Sequence, residues 1–350
     1  MIDILAANAE QTELRNRPTA ASLEAARSLG AFALLTPAAY GGSAESVSDI
    51  VRLIAGLARG CPSTAWVAST SMTAKNMLAF GDFGDSAMKE VFADPDAVFC
   101  GVGEPAHGSV RRPDGVLLNG RWKVVSGCED ATWGSFGAIV DGEFSLVVLP
   151  MAELIIERTW DVAGMRGTGS HSVVADNVLV PAERVASGPT LHYPPDARTL
   201  QLWGLSALAP VVGATFGALA VIEMMFASDR KPFFTAYARM SDSPGARHWL
   251  AEATTLARRA ERTMLELAAR VDEDAEITAL DSSRMQQDRA VAAADCRAAI
   301  ERMLDLHGAS GFKTANPLQR FWRDVAVAGR HPQLNPYLAV EGYGRALTGG

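Results

Sequence analysis

Residues 97–110 read AVFCGVGEPAHGSV, an apolar run that breaks into Gly101-Val102-Gly103-Glu104-Pro105-Ala106. The string satisfies G-x-G-x-x-A, the spacing of a dinucleotide-binding loop. Such a loop needs a helix directly after its glycines, so that the helix N-terminus meets the pyrophosphate. Here Glu104-Pro105-Ala106-His107-Gly108 leads into another turn and then more strand. The dinucleotide reading fails, and the stretch opens a β-region instead. Two readings of Gly101, Val102 and Gly103 stay open: a strand that lets a ligand approach its backbone, or a β-bulge at a strand end.

Downstream, GVLLNG, RWKVVSG, FGAIV, FSLVVLP and SVVADNVLV are short β-rich runs separated by PDG, NG and DG turn signals. No helical stretch lies between them, which predicts a compact antiparallel sheet or barrel over 97–188. Upstream, AASLEAARSLG reads as an amphipathic helix closed by Gly30. A second helix carries Val47, Ile50, Val51, Ile54 and Leu57 on one face and stops at Gly60, and Pro62 opens a third. Beyond residue 189 the helices lengthen. One carries Trp249, Ala253, Leu256, Ala260, Leu267 and Val271 on a single stripe. The next is expected from near Ser283, with Gln286 as its capping-box partner, Met285, Ala292, Cys296, Ile300 and Met303 on its apolar side, and Gly308 at its end. Trp203–Ile222 has no charge over twenty residues, enough to span a bilayer. Its Ala, Gly and Pro210 suit the centre of a soluble bundle better, so no membrane association is expected. The fold class is α+β: an N-terminal helical domain (1–96), a central antiparallel β-domain (97–188) and a C-terminal bundle of long helices (189–350).

The 350 residues carry a net charge of −8 with scattered basic side chains, which argues against nucleic acid as a partner. Cys61, Cys100, Cys128 and Cys296 form no CxxC pair and read as reduced thiols, pointing to a cytoplasmic protein. The N-terminus has no secretory pattern. His107, His171, His192, His248 and His307 show no metal-ligand spacing, and no metal is expected.

The order of these regions, with several strings inside them, resembles the acyl-CoA dehydrogenase superfamily across nearly the whole chain. TPAAYGG (36–42) is similar to the family's loop before its second helical region. Glu104, Pro105, Gly108 and Ser109 are similar to its T-E-P-x-x-G-S turn, and GRWKVVSGCEDATW (120–133) to its next flavin-facing strand. GMRGTGSHSVVADNVLVPAERV (164–185) resembles the G-x-R-x-S…V-x-V-P segment and is the most specific match. SGCEDATW, WDVAGMRGTGS and PLQRFWRDVAVAGRH most resemble the flavin-dependent monooxygenase branch, which holds p-hydroxyphenylacetate hydroxylase, dibenzothiophene monooxygenase and aromatic polyketide hydroxylases. The resemblance implies an enzyme that receives reduced flavin from a separate reductase, FMN first and FAD as the alternative. It would form a C4a-hydroperoxide with O2 and hydroxylate an aromatic or polycyclic substrate. It also implies a homotetramer, or at least a dimer.

Site residues follow from the same resemblance. Gly101, Val102 and Gly103 would pass along the flavin ring, Ser126 would reach its N5/O4 edge, and Arg230, in competition with Arg239, would bind its phosphate, often across a subunit boundary. A dehydrogenase needs a carboxylate base against the flavin. Its usual place after Arg323-Asp324 is taken by His331-Pro332, and residues 198–221 contain neither Asp nor Glu. His331 is the candidate acid/base, since imidazole titrates near neutrality. A second pocket histidine, frequent in the branch, is replaced by Ala74, Lys75 and Asn76. Trp122 and Trp133 read as core. An acyl-CoA dehydrogenase-like oxidase and a non-catalytic flavin-fold binding protein are the alternative functions.

Overall fold

The computed structural model describes residues 1–43 and 45–349. Five helices open the chain: α1 (Ile2–Leu14), α2 (Ala20–Arg27), α3 (Val47–Ala58), α4 (Pro62–Met77) and α5 (Asp85–Val91). Ser46 caps α3 by accepting from Asp49 N–H, and the expected face buries Ile50, Val51, Ile54 and Leu57, with Val47 half-buried. Pro62 occupies the first turn of α4, where its missing N–H costs nothing. Thirteen of the sixteen residues of α4 are buried, so this helix is a central post between the sheet and the later helices.

Seven strands follow: β1 (Phe99–Arg112), β2 (Gly115–Val125), β3 (Trp133–Val140), β4 (Glu143–Pro150), β5 (Ile155–Glu157), β6 (His171–Pro181) and β7 (Val185–Ser187). They form one sheet in the order β5-β6-β2-β1-β3-β4-β7. All pairings are antiparallel except β1 with β3, which is parallel. The expected all-antiparallel sheet is therefore a mixed one. The reason is a crossover: leaving β2 at Ser126, the chain passes the start of β1, where Thr132 N–H donates to Val98 C=O (2.8 Å), and enters β3 on the far side. The turn expected at Glu104–Gly108 is instead strand with two register shifts, between Val102 and Ala106 and between Ala106 and Ser109. Asn119-Gly120 likewise makes no turn; GVLLNG and RWKVV are one strand.

Five helices complete the chain: α6 (Ala197–Ala227), α7 (Pro244–Asp272), α8 (Ala279–His307), α9 (Pro317–Ala328) and α10 (Pro336–Thr348). The uncharged segment lies inside α6, long and apolar enough to cross a membrane, and most of that helix is buried within the protein. The start of α8 lies upstream of Ser283. Thr278 caps it, accepting from Asp281 N–H while the Asp281 carboxylate accepts from Thr278, and the Ser283 hydroxyl donates to Leu280 C=O inside the helix. On α7, Trp249 leaves the expected stripe: it is 37 % exposed, with the Arg302 guanidinium 4.9 Å over its ring.

Candidate functional site

Ser126 sits where β2 ends and the crossover begins, against the buried face of α4. Trp66, on α4, donates its indole N–H to Ser126 Oγ (3.2 Å). The Trp66 ring also meets the His331 imidazole edge-on, with centroids 5.4 Å apart. The two residues singled out from sequence, Ser126 and His331, are thus joined through a third that was not. His331 lies in the turn after α9, its N–H donating to Ala328 C=O (3.0 Å) and its Nδ1 facing Gln333 N–H (3.4 Å). Burial pulls its pKa down to about 4. The ring is therefore neutral at physiological pH, a correction to the expectation that it titrates near neutrality.

Ser126 has a second partner. Its Oγ lies 2.8 Å from Ser170 Oγ, which lies 2.7 Å from Thr168 Oγ1. The Thr168 hydroxyl also bonds the Met165 carbonyl (2.8 Å), which accepts from the Trp160 indole as well (3.0 Å). These groups belong to the loop between β5 and β6, which α9 holds in place. Met165 N–H donates to the Asp324 carboxylate (2.5 Å), and the Arg323 guanidinium donates to Ala163 C=O (2.6 Å) and pairs with Glu13. Between them stands Gly164, where a Cβ would strike Arg323 C=O at 2.1 Å. The Arg-Asp pair is therefore the clamp that seats the serine-bearing loop against the sheet.

Asp324 is buried among Pro62, Pro210, Val211 and Ala214, and its pKa is pushed up to about 7 by that burial, with Glu13 adding to the shift and the Met165 amide opposing it. Among the described residues no carboxylate hydrogen-bonds to Ser126, Trp66 or His331.

The remaining candidates fall elsewhere. A Cβ on Gly101 would meet Ser135 O at 2.4 Å, and one on Gly103 would meet Tyr193 Oη at 2.4 Å. Both glycines thus answer to neighbours within the chain, and Val102 between them pairs with Phe136 of β3. Arg230, just after α6, donates to His307 C=O (2.5 Å) and Ser310 Oγ (3.0 Å), beside the His307 ring and away from the Ser126 group. Arg239 is exposed, its backbone N–H donating to Asp242. Lys75 turns from the site to the carbonyls of Phe32 and Pro95, while Asn76 accepts from the Trp203 indole (3.0 Å). Trp122 is core, packed on Phe136 and donating to Gly137 C=O (2.8 Å). Trp133 is buried too, with the Arg184 guanidinium 5.1 Å over its ring.

Residues 3–94 match the acyl-CoA dehydrogenase N-terminal domain, and residues 205–336 match the acyl-CoA dehydrogenase C-terminal domain. The chain is 30% identical to the FADH(2)-dependent resorcinol hydroxylase oxygenase component of Rhizobium sp. (strain MTP-10005), over 95% of this chain and 88% of that one. It is also 30% identical to the flavin-dependent monooxygenase oxygenase subunit HsaA of Mycobacterium tuberculosis, over 96% and 90% of the two chains. Among solved structures, XiaF from Streptomyces sp., in complex with FADH2 and glycerol, superimposes with a TM-score of 0.91 at 27% identity, covering 100% of this chain and 93% of that one. With this fold and these matches, the chain belongs to the acyl-CoA dehydrogenase family, in its flavin-dependent monooxygenase branch.

Proposed function

We propose that this protein is the oxygenase component of a two-component hydroxylase in the cytoplasm. It takes reduced flavin from a separate reductase and, with O2, hydroxylates an aromatic or polycyclic small molecule. The observation that carries the reading is the Trp66–Ser126 hydrogen bond with His331 on the indole edge and no carboxylate in the group. A dehydrogenase would need a carboxylate there to take an α-proton. Reduced flavin fits the donor set: Ser126 Oγ accepts from Trp66 and bonds Ser170, which leaves it one further hydrogen-bonding position for an adjoining ring. The resorcinol hydroxylase and XiaF are described with FADH2, whereas an FMN-bound neighbour, TdsC from Paenibacillus sp. A11-2, shares the fold at 18% identity; this favours FADH2 over FMN.

Bound flavin would supply the activated oxygen. The chain's own residues do the rest. Ser126 would hold the N5 edge, Trp66 fixes Ser126 and shuts water from that side, and neutral His331, its Nδ1 taken by the Gln333 N–H, would offer its Nε2–H to a phenolic oxygen. The backbone of Gly101, Val102 and Gly103 would line the ring's path, and Arg230 would meet the flavin phosphate. A homotetramer accounts for apolar side chains left open to solvent: Phe233 (85 % exposed) and Phe234 (99 % exposed) near Arg230, and Tyr337, Val340 and Leu347 on α10. Such an assembly brings Arg230 to a neighbour's flavin.

The test is to mix dithionite-reduced FAD or FMN with the protein, then add 18O2 and a panel of phenols and indoles. Mass-labelled hydroxylated product supports the proposal. Acyl-CoA bleaching of bound oxidised flavin, or no binding of reduced flavin, overturns it.

A further inference from the structure

We infer that Ser170 and Thr168 are positioning residues that lock the Ser126 hydroxyl as a hydrogen-bond acceptor toward its ligand, and so make the site select reduced over oxidised flavin. The inference rests on the reading above that Ser126 meets the flavin N5 edge.

It follows from counting protons. Three oxygen–oxygen contacts run in series: Ser126 to Ser170 (2.8 Å), Ser170 to Thr168 (2.7 Å) and Thr168 to the Met165 carbonyl (2.8 Å). Each contact needs one hydrogen between its oxygens, and the three hydroxyls own three hydrogens in all. The last acceptor is a carbonyl and can give none. All three contacts are made only if every hydroxyl points the same way, from Ser126 toward Met165. Any other arrangement leaves at least one of the three contacts, at 2.7–2.8 Å, with no hydrogen and lone pairs opposed. The far end agrees. The Trp66 indole can only donate, and it delivers its N–H to Ser126 Oγ (3.2 Å). The series thus runs one way, N–H to O–H to O–H to O–H to C=O, and such series reinforce their own direction. Burial keeps water from supplying a spare hydrogen: Ser126, Thr168 and Ser170 are all buried.

Ser126 then has nothing left but a lone pair. Its hydrogen goes to Ser170, one lone pair to Trp66, and the remaining lone pair faces the site. Reduced flavin carries a hydrogen on N5 and can donate to it. Oxidised flavin has a bare N5 lone pair, which would oppose it. The site accepts flavin from the reductase in the state it can use and disfavours the spent one.

The experiment measures dissociation constants of reduced and oxidised FAD, anaerobically, together with the midpoint potential of the bound flavin. Parent protein is expected to hold the reduced form more tightly. Ser170→Ala and Thr168→Val leave Ser126 in place but release its hydrogen. The preference should shrink about tenfold in each, one neutral hydrogen bond's worth. The bound potential should fall by about 30 mV, that ratio expressed for a two-electron couple. Ser170→Thr, which restores the hydroxyl, should restore both. If both breaking variants keep the parent's ratio, or weaken the two redox states by the same factor, the inference is overturned. A parent that binds reduced flavin without preference also overturns it while leaving the hydroxylase proposal standing. A parent that binds neither state overturns both.

Discussion

Replacing Asp324 with asparagine keeps the oxygen that accepts from Met165 N–H and removes a carboxyl that titrates in a buried apolar setting. The side chain is 5 % exposed, and the adjacent Arg323 guanidinium is committed to Glu13 and the Ala163 carbonyl. Burial raises the Asp324 pKa from 3.8 to about 7. Between those values the folded protein binds more protons than the unfolded chain, so stability falls as pH rises from about 4 to about 7 and is level above that. The difference of about three units, at about 1.4 kcal/mol each, gives a loss of up to about 4 kcal/mol. His331 slopes the other way. Its pKa is lowered from 6.5 to about 4, so it contributes stability that grows as pH climbs through that window. In the parent protein the two oppose each other and mask the effect, and a single pH profile would mislead. The gap between parent and Asp324→Asn isolates the carboxyl, because every other titrating group is shared. Urea unfolding of both proteins, in half-unit steps from about pH 4.5 to about pH 8, measures that gap. The parent should lose ground on the variant steadily up to about pH 7. A gap that stays constant across the range would refute the assignment of a buried, protonatable clamp.

Ser126→Ala removes a contact worth about 1–3 kcal/mol in a dry site. It should speed hydrogen peroxide release from the protein with reduced flavin and O2, measured without substrate, by about ten- to a hundredfold over the parent, with substrate affinity unchanged by calorimetry. His331→Asn should lower hydroxylated product by about a hundredfold while the dissociation constant of reduced flavin, by fluorescence titration, holds. Arg230→Ala should weaken FMN by about tenfold or more and leave riboflavin, which lacks the phosphate, unaffected; equal weakening of both would remove Arg230 from the phosphate role.

Much of this was legible in the chain because local signals agreed with the fold. Pro62 and the apolar face of α3 mark their helices from local sequence alone. Two kinds of feature were hidden. The first is pairing across long sequence separations. An NG dipeptide normally signals a hairpin, but β2 runs through Asn119-Gly120 because β6 pairs along its length, and no periodicity announces the parallel β1–β3 contact. The second is the second partner of each site residue. Ser126 and His331 stood out by alignment to a family pattern, whereas Trp66 lies 60 residues from Ser126 and reads as one more apolar residue on a buried helix. Ser170 and Thr168 belong to a string whose serine and threonine suggest turn chemistry, and only the clamp at Asp324 turns them toward Ser126. The pKa of His331 was invisible for the same reason: burial, which lowers it, is a property of the packed whole.

An enzyme that handles activated oxygen must survive its own leakage. Oxidation of cysteine by peroxide begins when a thiolate attacks the O–O bond, so it requires deprotonation first. All four cysteines are unpaired and buried; Cys128 is two residues past Ser126, its thiol donating to Gly169 C=O (3.4 Å) beside the serine chain. Burial pushes the Cys128 and Cys296 thiols up to about 12 and raises Cys61 and Cys100 as well. At neutral pH each stays protonated and out of reach. The four thiols are thereby held in the protonated form, which reacts slowly with peroxide.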